Sequence, residues 1–165
     1  MRSVLISGMC VICVAAIGVV SALGGLSNVR LFQAGSGVEN VNLGATDVKI
    51  ASGVINCDAG APWKLTITSA NNGTLVVPRA QLNKIPYTSI TLVRTGGTLG
   101  AGLTDPSGTT KSIASGTCEF TTGSQPATKA TVNYAFELRI TWAANESLVA
   151  GNYSDTITMT FSTGL

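Results

Sequence analysis

The sequence predicts an all-β protein, an antiparallel sandwich of about seven short strands. Two alternating segments and the lack of any sustained helical period beyond the N-terminus carry that reading. In residues 131–142, Val132, Tyr134, Phe136, Leu138, Ile140 and Trp142 share one parity, and Thr131, Asn133, Ala135, Glu137, Arg139 and Thr141 the other. Such a period of two belongs to a strand with one face in a core. Residues 155–161 repeat it, with Ile157, Met159 and Phe161 inward and three threonines outward. Composition agrees: 165 residues suit one domain, and 45% apolar with 11% charged residues excludes disorder.

In chain order, the first element is a leader. Arg2 is the only charge before Arg30, residues 4–20 are dominated by apolar side chains, and Val20-Ser21-Ala22 ends the run. That is the pattern of a secretory signal occupying residues 1–22 and cleaved after Ala22. An uncleaved membrane anchor is the alternative, since the uncharged stretch is long enough to span a bilayer. The small residues before the cut and helix-weakening Gly8 and Gly18 favour cleavage. Met9 and Ile12 stand where lipid attachment at Cys10 or Cys13 wants a small residue.

The sandwich is expected over residues 46–165. Residues 46–50 and 54–57 form one strand, with a bulge expected at Gly53. Trp63, Leu65 and Ile67 alternate with Lys64, Thr66 and Thr68, and Asn71-Asn72-Gly73 then turns the chain. Residues 74–78 and 88–93 read as strands. Pro78 and Pro86 bracket residues 81–85, a loop or one helical turn. Residues 95–115 read as a long turn region around a weak strand at 99–103. Ala144-Asn145-Glu146 and Ala150-Gly151-Asn152 supply turns before the last strand.

Several chemistries are excluded. Ten basic residues against eight acidic ones give no footprint for nucleic acid. No histidine is present, so no site can be built on imidazole. Glu39, Asp47, Asp58, Asp105, Glu119, Glu137, Glu146 and Asp155 show no calcium-loop or paired-carboxylate spacing, and read as solvated turns and faces. Thr95-Gly96-Gly97-Thr98 lacks the lysine and helix of a phosphate cradle. Asn72, Asn145 and Asn152 head glycosylation triplets but coincide with turns, where asparagine is expected anyway. Trp63 and Trp142 belong to apolar strand faces, which favours packing over sugar stacking. No catalytic residue, cofactor site or metal site is expected.

Export gives the cysteines a meaning. Cys10 and Cys13 leave with the leader, and Cys57 and Cys118 remain in an oxidising compartment, where a disulfide is the expectation. Closing a loop on the order of 60 residues contributes about 4 kcal/mol in the chain-entropy model.

Residues 23–45 carry Val29, Leu31, Val38, Val41 and Leu43 among Gly, Asn and Ser. They form either an ordinary first strand or a strand donated to the open edge of another copy. Here a resemblance bears on the choice. Gly53-Val54-Ile55-Asn56-Cys57 followed by Trp63-Lys64-Leu65-Thr66-Ile67 resembles the first strands of bacterial pilin subunits of the spore-coat-protein-U and chaperone–usher type. Gly151 and Tyr153, leading into the threonine-rich strand that ends at Phe161, resemble their closing motif. The resemblance covers roughly residues 46–165. It implies an incomplete immunoglobulin-like sandwich, a periplasmic chaperone and outer-membrane usher, and polymerisation by donated N-terminal strands.

The expectation is therefore a non-enzymatic structural subunit of an extracellular surface filament, a pilus or fimbria that supports adhesion or biofilm formation. Its partners are other copies of itself. Residues 23–45 donate, and the groove beside Ile157, Met159 and Phe161 accepts. The alternative is a monomeric exported binding module, adhesin-like or carbohydrate-binding, which needs exposed aromatics.

Overall fold

Strand β9 (Val132–Trp142) has the longest clean alternation because it is bonded on both sides. It pairs antiparallel with β3 (Ala45–Cys57) on one edge and with β6 (Ala80–Thr98) on the other. The computed structural model describes residues 13–20, 26–33, 44–57, 62–77, 80–99, 102–123, 132–145 and 153–163, as backbone alone at 13–20, 26–33, 57, 80–83, 132 and 163. These residues form strands and no helix: β1 (Cys13–Val20), β2 (Leu26–Gln33), β3, β4 (Trp63–Ser69), β5 (Thr74–Val77), β6, β7 (Thr110–Lys111), β8 (Thr117–Thr121), β9 and β10 (Ser154–Thr163).

The hydrogen-bonded order is β2-β3-β9-β6-β5-β10-β4-β8, with β7 attached to β6 and β1 to β10. Two layers result. One contains β8, β4, β10, β5 and the start of β6; the other contains the rest of β6 with β9, β3 and β2. Between them the inward parities meet, as the alternation predicts. Tyr134, Phe136, Leu138, Ile140 and Trp142 of β9 lie against Trp63, Leu65 and Ile67 of β4 and Ile157, Met159 and Phe161 of β10, all buried. Trp63 bridges the layers, its ring 5.1 Å from Tyr134 and 5.9 Å from Phe161. Aromatic pairs of this kind add about 0.5–1.5 kcal/mol each beyond the area they bury.

On the outer face of β9, Glu137 accepts from Lys49 Nζ at 2.8 Å and Arg139 Nη2 at 2.7 Å. The Lys49 bond first, and then Arg139, hold its carboxyl below the usual range.

Tertiary pairing corrects several expectations. Residues 81–85 are strand, not loop or helical turn. β6 runs 19 residues and changes layers on the way. Ile85 faces Leu75 of β5, whereas Tyr87 pairs with Trp142 of β9. Pro86 sits at that corner, where a residue with no N–H to donate leaves no ladder bond unmade. The register of β3 shifts between Ala45 and Val48 and again at Ile50, between Lys49 and Ala51, not at Gly53, and Ile50 and Ala51 are both buried.

No strand forms at the described residues of 99–103; β6 instead continues through Gly96 and Gly97. Its extension is held by the Asp105-Pro106-Ser107-Gly108 turn, whose Gly108 N–H donates to the Leu92 carbonyl at 2.8 Å. β8 was not foreseen, because only Cys118 and Phe120 mark its inward parity; pairing with β4 makes it a strand.

The expected Cys57–Cys118 disulfide is not formed. Cys118 is a free, buried thiol, and the side chain of Cys57 lies outside the described residues. Register explains the separation. Cys57 ends β3, two residues past Ile55, which pairs with the Tyr134 that meets Trp63. Cys118 pairs with Ile67, four residues further along β4 than Trp63 and in the opposite layer. Four strand residues span about 13 Å, well beyond the reach of an S–S bond.

Candidate functional site

The site worth building is the edge of β10, because its two sides are treated differently. One side pairs antiparallel with β4 from Ile157 to Thr163. The same side meets β5 at a single position past the 70–73 turn, Ser154 opposite Val76. The other side is covered by β1, which runs parallel to β10 from Cys13 opposite Ser154 to Val20 opposite Phe161. The strand that closes this edge therefore lies inside the segment expected to be a cleaved leader. A chain beginning after Ala22 would leave residues 155–161 unpaired along that side. Such a row of free N–H and C=O groups is a template for another strand.

The expected acceptor residues are brought together there. Ile157, Met159 and Phe161 are 0–2% exposed on the inward face of β10, and Tyr153 is buried just before the strand begins. Gly151 lies outside the described residues. The donor candidates are elsewhere. Val29 and Leu31 sit on β2, opposite Ile55 and Gly53 of β3, at the far end of the strand order from β10. Within one chain, then, β2 is a first strand of the sandwich and does not reach β10. Val38, Val41 and Leu43 lie outside the described residues, as do Glu39, Asp58, Glu146, Asn152 and the leader apart from Cys13–Val20.

A buried polar cluster anchors the start of β10. Asp155, expected to be solvated, is only 3% exposed. It is fully engaged. Oδ2 accepts from Ser69 Oγ at 2.6 Å and from Tyr87 OH at 3.1 Å. Oδ1 accepts from the N–H of Asn71 at 3.1 Å and of Thr156 at 2.7 Å. Ser69 Oγ also accepts from the Gly73 N–H at 2.6 Å, and Asn71 Nδ2 donates to the Ser154 carbonyl at 3.1 Å. One carboxylate thus ties the β4–β5 turn, the β6 corner and the start of β10 together. Burial, and then the charge and hydrogen bond of Asp155, push the Tyr87 phenol far above its ordinary range. A signal for this cluster was present: Asp155 has the inward parity of Ile157, Met159 and Phe161.

The second cluster stabilises the long β6 end. Tyr134 OH donates to Asp105 Oδ1 at 2.8 Å, and Arg94 Nη1 bonds Oδ2 at 3.1 Å. Arg94 also lies over the Tyr134 ring, 5.7 Å from its centroid, and its Nη2 donates to the Gly97 carbonyl. Partial burial opposes ionisation of Asp105, but the Ser107 N–H, Tyr134 and Arg94 outweigh it and hold the carboxyl below its usual range. Burial first, and then Asp105, push the Tyr134 phenol up. These groups satisfy one another.

A recess of about 200 Å³ is lined by Ala70, Asn71, Asn72, Thr74, Val76 and Lys84. Ligand pockets usually run to roughly 300–1,000 Å³. Among the described residues no three metal-ligating side chains gather. Trp63 and Trp142 are core residues, 0% and 2% exposed, so neither offers a stacking face to a sugar.

No family model, no curated protein and no solved structure matches the chain.

Proposed function

We propose that this chain is a non-enzymatic structural subunit of an exported surface filament, assembled by strand donation between copies. The supporting observation is the β10 edge opposite β4 and β5, which among the described residues is closed by Cys13–Val20. Loss of residues 1–22 turns that edge into an acceptor whose floor is Ile157, Met159 and Phe161. The donor comes from residues 23–45 of another copy. Within them β2 is the strand at one end of the hydrogen-bonded order, paired with β3 along its length. Moving it to a neighbour's β10 trades one ladder for another, so exchange carries little penalty in hydrogen bonds. The same reading makes the subunit extracellular after passage through the periplasm, with a chaperone and usher as its expected assembly partners.

A monomeric binding module is the weaker reading. It needs exposed aromatics, and the eight aromatic side chains of the core are at most 5% exposed.

The test is a denaturing gel of material sheared from producing cells, run with and without boiling. Release of a donated strand means withdrawing it whole from a core, so the contacts should survive detergent and yield to heat. A ladder at multiples of the subunit mass that collapses on boiling is expected, and deletion of residues 23–45 should abolish it. A single band at the mature mass in both lanes would reject the filament.

A further inference from the structure

We infer that Cys13–Val20 is an intramolecular cap on the acceptor edge, and that removal of the cap sets when the subunit can receive a donor strand. This rests on the filament reading above and adds its regulation. Three features of the pairing carry it.

The first is coverage. β1 runs beside β10 from Ser154 to Phe161, along the side opposite β4 and β5. A capped chain presents no free row there to a second copy.

The second is the quality of the fit. In a parallel pair, residues in register lie on the same side of the sheet. The positions beside inward Asp155, Ile157, Met159 and Phe161 are Val14, Ala16, Gly18 and Val20. Alanine and glycine, the two smallest residues, thus occupy the places next to Ile157 and Met159. Ile17 and Val19 take register positions beside Thr158 and Thr160, on the outward parity. A slip of one residue would exchange the two sets. The cap therefore completes the hydrogen-bond row with alanine and glycine at its two central inward register positions, whereas residues 23–45 carry Val29 with Leu31 and Val41 with Leu43. It is suited to being replaced.

The third is the tether. While joined to the chain, β1 is held near β10 at a high effective concentration, on the order of millimolar for a short connection. Hydrolysis of the Ala22–Leu23 amide adds water across that bond and leaves a carboxylate on Ala22 and an amine on Leu23. The free leader then competes at its bulk concentration and leaves the edge on dilution.

The experiment compares one protein before and after a single cut. The full chain is made with a sequence-specific protease site placed after Ala22, and hydrogen exchange is followed at the β10 amides that do not face β4. In the uncut chain these amides should be protected. After cutting and dilution they should exchange at least tenfold faster, and an unboiled gel should develop a ladder. Equal exchange before and after the cut overturns the cap; a ladder that forms equally in both states would then leave the filament reading standing without it. Faster exchange with no ladder upholds the cap and rejects the filament.

A second variant guards against an effect of cutting itself. Ala16→Glu with Gly18→Glu, in the uncut chain, puts charge at the two register positions beside Ile157 and Met159. It should raise exchange at the same amides at least tenfold without proteolysis. Unchanged protection in that variant would also overturn the cap.

Discussion

Replacing Asp155 by alanine tests the reasoning about β10 most directly. The wild-type carboxylate receives Ser69 Oγ, Tyr87 OH and the N–H groups of Asn71 and Thr156. Alanine removes the acceptor and leaves the donors. The two backbone N–H groups are part-buried and can recover water, so they contribute little to the loss. Ser69 and Tyr87 are buried, and each hydroxyl left without its charged acceptor costs about 1–3 kcal/mol. With the small cavity added, the expected total is about 3–5 kcal/mol. That is a large share of the roughly 5–15 kcal/mol stability of a domain, and corresponds to about 10–20 °C in Tm.

Urea unfolding followed by tryptophan fluorescence provides the assay. Trp63 and Trp142 are both buried and will shift to the red on exposure. Tyr87→Phe alone should cost about 1 kcal/mol. The double variant should lose about 1 kcal/mol less than the two single losses together, since the Tyr87 bond is already gone once Asp155 is. A loss below about 1 kcal/mol for Asp155→Ala, or strict additivity in the cycle, would show that the cluster does not act as described.

Three further outcomes are expected. Gly97→Ala should destabilise by about 1–3 kcal/mol or more, because φ is +79° there and a Cβ would run into the Asn133 carbonyl. Gly96→Ala, with nothing within 4 Å of the added atom, should be nearly neutral by urea titration, and equal losses at the two positions would refute the argument. Burial pushes the Cys118 thiol up to about 11, so alkylation at pH 8 should label the folded protein far more slowly than the denatured one. Equal labelling rates would mean that β8 does not shield it.

Stability should also depend on pH at both ends. Asp105 and Glu137 have depressed folded-state pKa values, so what they contribute is present above the unfolded carboxylate range, near 4, and is lost as pH falls through their folded values. Tyr87 and Tyr134 are raised, so their contribution is complete below the unfolded phenol value, near 10, and is lost as pH rises beyond it. Tyr87→Phe should therefore flatten the alkaline limb of a urea-midpoint profile. An unchanged limb would exclude Tyr87 as its source.

Much of the core was legible in the sequence. The inward parities of β4, β9 and β10 read directly from the chain, because a strand's two faces are a local property with period two. The Asn71-Asn72-Gly73 turn was legible for the same reason: Asn72 and Gly73 adopt φ of 52° and 68°, a conformation those residue types favour. The inward face of Ile157, Met159 and Phe161 belongs to this group. Asp155 shows where the reading stops. Its parity pointed inward, but a carboxylate is buried only when partners await it, and Ser69, Asn71 and Tyr87 come from distant parts of the chain.

The sequence by itself determined the fold class, the faces of its strongest strands and the acidic, basic and cysteine chemistry available to it. Only the tertiary structure decided which strand edges meet. It carried β6 across both layers at Pro86, moved the β3 register shifts away from Gly53, made a strand of residues 117–121, held Cys118 apart from Cys57 and laid Cys13–Val20 along β10. The physical reason is common to all five. Side-chain alternation is written within a strand, whereas a ladder needs a second segment, and which of several unpaired edges supplies it depends on the whole chain.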